Sequence, residues 1–355
     1  MARMTRQALY FTAPHRVEMR EEPVPDPGPG EVRVAVAMTA ISPGTEMLIY
    51  RGLMPRGMKA DPTLPALAGT LDYPLKYGYA SVGRVEAVGP GVDKAWVGRW
   101  VFAFQPHQSH YTARVEEVFP LPEGLAPEDA LFLPNMETAV NFLMDGHPMI
   151  GERVVVLGQG VVGLLTTGLL ARMPLEELVV VDRYEPRLAA AQRWGAHHTL
   201  LAGTEDLQGR LHDILGPPQG TGGADLVYEL SGSPDALNLA IGITGFGGRI
   251  IVGSWYGEKR AAIDLGGHFH RARLRIISSQ VSTIAADHLA RWDKVRRLGV
   301  AWRHLKDLRP GQLITHRFPA TRAAAAYAHI ADHPEETIQV ILEWNEQLLV
   351  TRYSL

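Results

Sequence analysis

The sequence predicts an α/β protein in two domains, one mostly β and one a doubly wound parallel sheet with helices on both faces. Three observations carry this. At 355 residues the chain has material for about two domains, each with its own core. Its first 134 residues are short β-branched runs broken by Gly, Pro and Asp. Its middle alternates helix-period stretches with buried apolar runs, the pattern of parallel strands joined by crossover helices.

In order along residues 1–134, the runs Glu31–Val36, Ala80–Val88 and Arg99–Phe104 read as strands. The turn signals Pro25–Gly30 and Gly89–Asp93 punctuate them. Across 135–283, strands are predicted at 154–157, 178–182, 225–230, 249–253 and 274–278. The tail predicts a helix at 285–299, a strand at Leu313–Phe318, an alanine-rich helix at 320–331 and a last strand at Thr337–Glu343. Residues 284–355 are expected to return to the first domain. No repeat or low-complexity tract interrupts the pattern.

Residues 154–182 are the most informative stretch. A run of valines ends in Gly158-Gln-Gly160-Val161-Val162-Gly163, then come a helix-forming segment and a second apolar run ending in Asp182. Gly158 permits a tight turn, Gly160 lets backbone approach a pyrophosphate, and Gly163 lets the helix lie close on the sheet. The helix N-terminus, with the N–H groups of Val161 and Val162, offers donors to an anion. Asp182, 19 residues after Gly163, is placed to accept the hydroxyls of an adenosine ribose. A dinucleotide is therefore expected, and the carboxylate points to NAD. Arg183, directly after the strand, is the residue that could clamp a 2′-phosphate instead, so NADP stays open.

Composition narrows the class. A formal charge of −3 offers no basic field for nucleic acid. No apolar run reaches membrane-spanning length, and the N-terminal residues lack a secretory pattern, so a cytoplasmic location is expected. The chain has no cysteine, which removes disulfides and thiolate metal sites together. Lysine is scarce beside arginine.

Gly83-Arg-Val-Glu-Ala-Val-Gly-Pro-Gly-Val, Gly98-Arg-Trp-Val-Phe-Ala, Gly247-Gly-Arg-Ile-Ile-Val-Gly and Leu313-Ile-Thr-His-Arg-Phe-Pro, in this order around the glycine turn, resemble the medium-chain dehydrogenase/reductase superfamily. Ser42-Pro-Gly-Thr-Glu, Tyr50-Arg-Gly-Leu-Met-Pro and Tyr73-Pro-Leu-Lys-Tyr-Gly-Tyr resemble its bacteriochlorophyllide a dehydrogenase-like branch. The resemblance implies a GroES-like catalytic domain (1–134 and 284–355), a Rossmann domain (135–283), substrate in the cleft between them, and a homodimer paired through the sixth strand. It also implies that Arg187 contacts an unphosphorylated ribose. Further cofactor contacts follow from it: Thr138, Ser231–Gly232, Gly253–Ser254, and Ser278–Ser279 at the carboxamide.

The departures from that family matter as much. Where zinc enzymes of the family place a cysteine, a histidine and a third cysteine or glutamate, this chain has Ser42, Tyr79 and, near the third place, Pro134. Ala80 replaces a supporting glutamate, and the four-cysteine lobe is missing. No zinc or other metal is expected at these positions. Tyr79 is instead the candidate proton donor, its other reading being an aromatic packing residue of the β domain, with Ser42, Thr45 and Glu46 as a hydroxyl-and-carboxylate group beside it. Glu46 paired with an arginine, as structure only, is the other reading. His107 is a candidate substrate hydrogen-bond donor; its alternatives are a polar rim, or a metal pair with His110. The expected function is a zinc-independent oxidoreductase passing hydride between a nicotinamide cofactor and a carbonyl, alcohol or quinone. The alternatives are a dinucleotide-binding redox sensor without turnover, and a zinc alcohol dehydrogenase with a rebuilt metal site. The segment 51–69, rich in Met, Leu and Pro, is expected to form an apolar cover or a self-packed surface excursion.

Overall fold

A computed structural model describes residues 4–55, 57–61, 63–67, 69–345 and 348. The chain divides into two units, Met1–Pro134 with Leu305–Leu355, and Asn135–His304.

The first unit is β-rich. Its main sheet runs in the order Ile314–Pro319, Gln339–Glu343, Glu31–Ala40, Ser81–Val88, Trp100–Ala103, Val118–Pro120, with His110–Arg114 also pairing to Glu31–Ala40. Strand Glu31–Ala40 organises it. The side chains from Val34 onward are almost all buried, as an unbroken apolar run requires. The tail returns here: Ile341 pairs antiparallel with Ala40, and Glu343 with Met38. A smaller sheet joins Arg16–Pro23, Thr5–Ala13 and Leu75–Lys76. One core cluster packs Phe11, Ile49, Tyr50, Tyr77 and Tyr327 together, with Tyr50 and Tyr327 stacked at 5.4 Å.

The second unit is a six-stranded sheet, all parallel, ordered His198–Leu201, Glu177–Asp182, Arg153–Leu157, Ala224–Glu229, Thr244–Val252, Arg275–Ser278. Strand order reverses at Arg153–Leu157, which is where such sheets open a ligand crevice. His198–Leu201 is short and opens on a histidine, so periodicity alone does not reveal it. The expected strand at 249–253 begins earlier, at Thr244. The glycines there read as a turn, yet they let backbones approach: a Cβ on Gly245 would lie 2.4 Å from the Gly222 carbonyl oxygen.

The tail differs from expectation in two ways. The helix predicted at 285–299 is a short 3-10 turn, Ala286–His288, and then a helix over Lys294–Leu308. Asp293 sets that start by accepting the Arg296 N–H at 2.7 Å, an N-cap arrangement. Residues 284–304 also group with the second unit rather than the first. Arg297 explains why. Its fully buried guanidinium bonds Glu137 at 3.0 Å, Asn141, and the carbonyls of Val281 and Thr283, so burying it elsewhere would strand a charge. The helices over Thr45–Tyr50 and Ala323–Asp332 are the two that matter for the site in the first unit.

Candidate active site

In the second unit the glycine turn separates into packing and open positions. Gly158 has φ +96°, and a Cβ there would sit 2.6 Å from the Ser231 Cα. A Cβ on Gly163 would lie 2.0 Å from the Gly158 carbonyl oxygen. Both must be glycine for the helix to reach the sheet. Gly160 is different: it caps helix Val161–Leu170, no side chain bonds to that end, and nothing lies within 4 Å of its Cβ direction. The first-turn N–H groups of Val161 and Val162 lack partners within the helix, so this end suits an anion.

Asp182 closes the next strand. One carboxylate oxygen accepts the Gln159 N–H at 2.6 Å, and the other accepts the Tyr184 N–H at 2.9 Å. The carboxylate therefore holds the turn while retaining lone pairs for further donors. Arg187 lies 4.0 Å from it, with its guanidinium over the Tyr184 ring at 4.8 Å. Arg183 is exposed.

The ends of the next strands carry a group that the sequence reading missed. Glu229 is fully buried and accepts the Ser231 N–H at 2.8 Å, the Ser231 hydroxyl and the Tyr256 hydroxyl. Ser254 Oγ accepts the Gly232 N–H at 2.9 Å, and Lys259 donates to the Gly232 carbonyl at 2.7 Å. A carboxylate ending the apolar run Ala224–Glu229 was the available signal. A Cβ on Gly253 would collide with the Phe142 ring at 2.3 Å, so this glycine serves packing. Thr138 is half-buried on helix Leu133–Gly146. Ser278 is exposed on the edge strand. The Ser279 hydroxyl bonds Asp145 and accepts from Asn141 at 3.0 Å, so it ties strand to helix.

The first unit assembles a second polar group from four distant segments. Ser42 precedes the helix Thr45–Tyr50 and bonds it reciprocally. Its Oγ accepts the Thr45 N–H at 3.3 Å, while Glu46 Oε1 accepts the Ser42 N–H at 2.9 Å. Glu46 Oε2 takes His107 Nε2 at 2.8 Å and the Tyr327 hydroxyl. His107 Nδ1 meets Thr39 Oγ1 at 2.7 Å, and Trp344 Nε1 donates to that same oxygen at 2.9 Å. One assignment satisfies every atom: Trp344 donates to Thr39, Thr39 to His107, and His107 Nε2–H to Glu46. The His107 backbone is pinned too, by Leu9 N–H and Tyr77 C=O.

Two expectations are corrected by this arrangement. Glu46 and His107 have no exposed surface, and both ring nitrogens of His107 are occupied. His107 is therefore no substrate donor, and Glu46 pairs with a histidine and a tyrosine rather than an arginine. His107 and His110 do not converge on one point either: His110 bonds Ser109 Oγ at 3.0 Å and faces Glu86 at 3.8 Å.

Tyr79 and Ser42 stand at the edge of this group. The Tyr79 hydroxyl bonds Ser42 Oγ at 2.6 Å and also engages the Thr45 side chain. Tyr79 keeps some exposure, whereas Ser42 is buried. Burial pushes the Tyr79 phenol up to about 12, with the bond to Ser42 opposing it and the Glu46 charge reinforcing it. At neutral pH the pair is two hydroxyls with a proton to give. Residues 51–69 include the described core members Met54, Ala60 and Leu67, while Arg56, Pro62 and Ala68 of that stretch lie outside the described residues.

A zinc-binding dehydrogenase family model matches residues 161–298. The zinc-type alcohol dehydrogenase-like protein YphC of Escherichia coli K12 is 25% identical over 92% of this chain and 96% of its own length. Among solved structures, an E. coli CFT073 short chain alcohol dehydrogenase (rspB) complexed with NADH superposes with a TM-score of 0.74 at 21% identity, covering 96% of this chain and 99% of that one. The 2R,3R-butanediol dehydrogenase of Bacillus subtilis gives 0.76 at 18% identity, covering 96% and 100%. The likeness of residues 42–79 to one branch rests on the sequence alone.

Proposed function

We propose that this chain is an NAD-dependent oxidoreductase of the medium-chain dehydrogenase/reductase superfamily in which hydroxyl groups replace the family's catalytic zinc, a reading supported by the family model over 161–298 and by the similarity to YphC. The observation that carries the reading is the pairing of an uncapped helix end at Gly160 with the carboxylate of Asp182. The first suits a pyrophosphate and the second a ribose diol. Val161 and Val162 N–H groups would hold the phosphates, with Thr138, Gly232 and Ser254 among the further contacts. Asp182 would repel a 2′-phosphate, which favours NAD; Arg183, exposed directly after the strand, is the residue that would reverse that choice. When bound, the nicotinamide supplies or accepts the hydride.

The residues at the family's zinc position do not fit the metal. Ser42 and Tyr79 are hydroxyls bonded to each other, and neither offers the thiolate or imidazole that zinc selects. Instead, the Tyr79–Ser42 pair donates to a substrate oxygen as charge builds on it, and returns the proton in the reverse direction. Glu46, His107, Thr39 and Tyr327 hold that pair by fixing Ser42 and its helix. The substrate class is a carbonyl, secondary alcohol or quinone. A homodimer joined through the edge strand Arg275–Ser278 and a cytoplasmic location belong to the same reading; Ile276 on that edge is 38% exposed. Among the described residues no helix is long and apolar enough to cross a membrane.

Calorimetric titration with NADH and NADPH tests the cofactor assignment. Tighter NADH binding is expected, and tighter NADPH binding that Arg183→Ala abolishes would overturn it. Turnover of either cofactor with a panel of quinones, aldehydes and ketones separates an enzyme from a redox-sensing binding protein. Light scattering that returns a monomer at micromolar concentration would remove the dimer.

A further inference from the structure

A second histidine group lies in the return segment, apart from the residues assigned above. His316 stands on strand Ile314–Pro319, an edge strand of the main sheet among the described residues, and His329 on helix Ala323–Asp332, which packs on that strand. Their Nε2 atoms are 3.1 Å apart. One ligand atom from each, with a carboxylate oxygen of Glu336, all fall within 4.8 Å of one another. Tyr327, two residues before His329, points into the Glu46 network, and helix positions two apart face roughly opposite ways. The group is thus separate from the Tyr79–Ser42 pair.

We infer that His316, His329 and Glu336 form a binding site for a divalent transition cation of the zinc class. Two nitrogens each about 2.0–2.1 Å from a tetrahedral ion sit a little over 3 Å apart, close to the spacing already present. The His316 ring is also set for it. Its Nδ1 meets Thr315 Oγ1 at 3.0 Å, and that hydroxyl passes its own hydrogen to the Gln339 carbonyl at 3.2 Å while accepting the Ile338 N–H at 3.2 Å. Thr315 therefore accepts from His316 Nδ1–H, which leaves the Nε2 lone pair facing His329. Outer hydrogen bonds of this kind orient metal-binding imidazoles.

In the empty state His329 Nε2–H donates to that lone pair. Loading a cation requires only that His329 carry its proton on Nδ1, so both Nε2 atoms become ligands without net proton release. Glu336 is exposed and can swing in to supply charge. His333 lies beside His329, with ring centroids 5.1 Å apart. Three protein ligands leave a fourth position for water. Two nitrogen donors select zinc, nickel or copper over magnesium and calcium. Bound metal would join strand, helix and the 333–336 turn, so it would act on the stability of the return segment.

The full chain, stripped with chelator, is titrated with zinc chloride by calorimetry, and its melting temperature is followed against zinc concentration. One zinc per chain is expected, with a melting temperature that climbs with the logarithm of zinc and ignores magnesium. His316→Ala with His329→Ala should abolish both signals, and Glu336→Gln should weaken binding roughly tenfold, in the range of a lost metal-site interaction. The Glu336 variant is exposed and keeps the test informative if the double variant misfolds. Zinc binding that survives both variants, or no zinc response in the unaltered chain, overturns the inference. The site does not rest on the proposed oxidoreductase function: Tyr79→Phe should bind zinc as the parent does, and the histidine variants should retain turnover.

Discussion

The glycine turn of the second unit and the Ser42–Glu46–His107 group of the first solve opposite problems. The turn is made of backbone, and its middle glycine faces open space with no side chain capping the helix it begins. The Glu46 group is made of side chains, is sealed from solvent, and has every polar atom engaged. In the proposed reading a ligand completes the first, and the second holds still the two hydroxyls beside it.

The most severe test of this contrast is Tyr79→Phe. Loss of a general acid should lower turnover about 10²–10⁴-fold while NADH affinity stays within twofold, because the ring's packing survives and the residues proposed to hold the cofactor belong to the other unit. An undiminished rate would reduce Tyr79 to packing. Next comes Glu46→Ala, which orphans the Ser42 N–H, His107 Nε2 and the Tyr327 hydroxyl at once. Breaking such a buried arrangement should cost about 3–5 kcal/mol, read from urea denaturation. A loss under 1 kcal/mol would mean that the group is not holding the fold locally.

The turn itself offers a paired experiment. Gly163→Ala forces a Cβ against backbone and should destabilise by about 1–3 kcal/mol, as overpacking does. Gly160→Ala meets no neighbour, so stability should change by less than about 0.5 kcal/mol while NADH affinity falls on the order of tenfold. Equal effects on stability would erase the distinction between packing and open glycines.

The smallest effect is one of pH. Burial raises the Tyr79 phenol, so its acid form persists as pH rises and is lost only on passing through about 12. Carbonyl reduction should therefore show no titration near the ordinary tyrosine value of about 10. An alkaline limb at that value, absent from Tyr79→Phe, would contradict the buried phenol.

The contrast also explains what the sequence could disclose. The dinucleotide turn and Asp182 are contiguous, since strand, turn and helix are local and their glycines obey backbone sterics. Ser42, Thr45, Glu46 and Tyr79 could be singled out, but not the roles of Glu46 and His107. Those roles depend on Thr39, Tyr327 and Trp344, which no spacing rule connects to them. The same limit hid Glu229 with Tyr256, and His316 with His329. Arg297 moved residues 284–304 out of the first domain because its partners, Glu137 and Asn141, lie about 160 positions earlier in the chain.

The Glu46–Tyr327 bond spans 281 positions, and the strand Gln339–Glu343 that pairs with Glu31–Ala40 comes later still. On a ribosome adding about 5–20 residues per second, Glu46 waits roughly 15–55 s for Tyr327 to be made. Every strand of the parallel sheet is synthesised within that interval. The nucleotide unit can thus finish folding during synthesis, while the half that carries Tyr79 stays open, with a carboxylate lacking its hydroxyl partner and a sheet lacking two strands. The unit expected to do the chemistry is the last to become a structure.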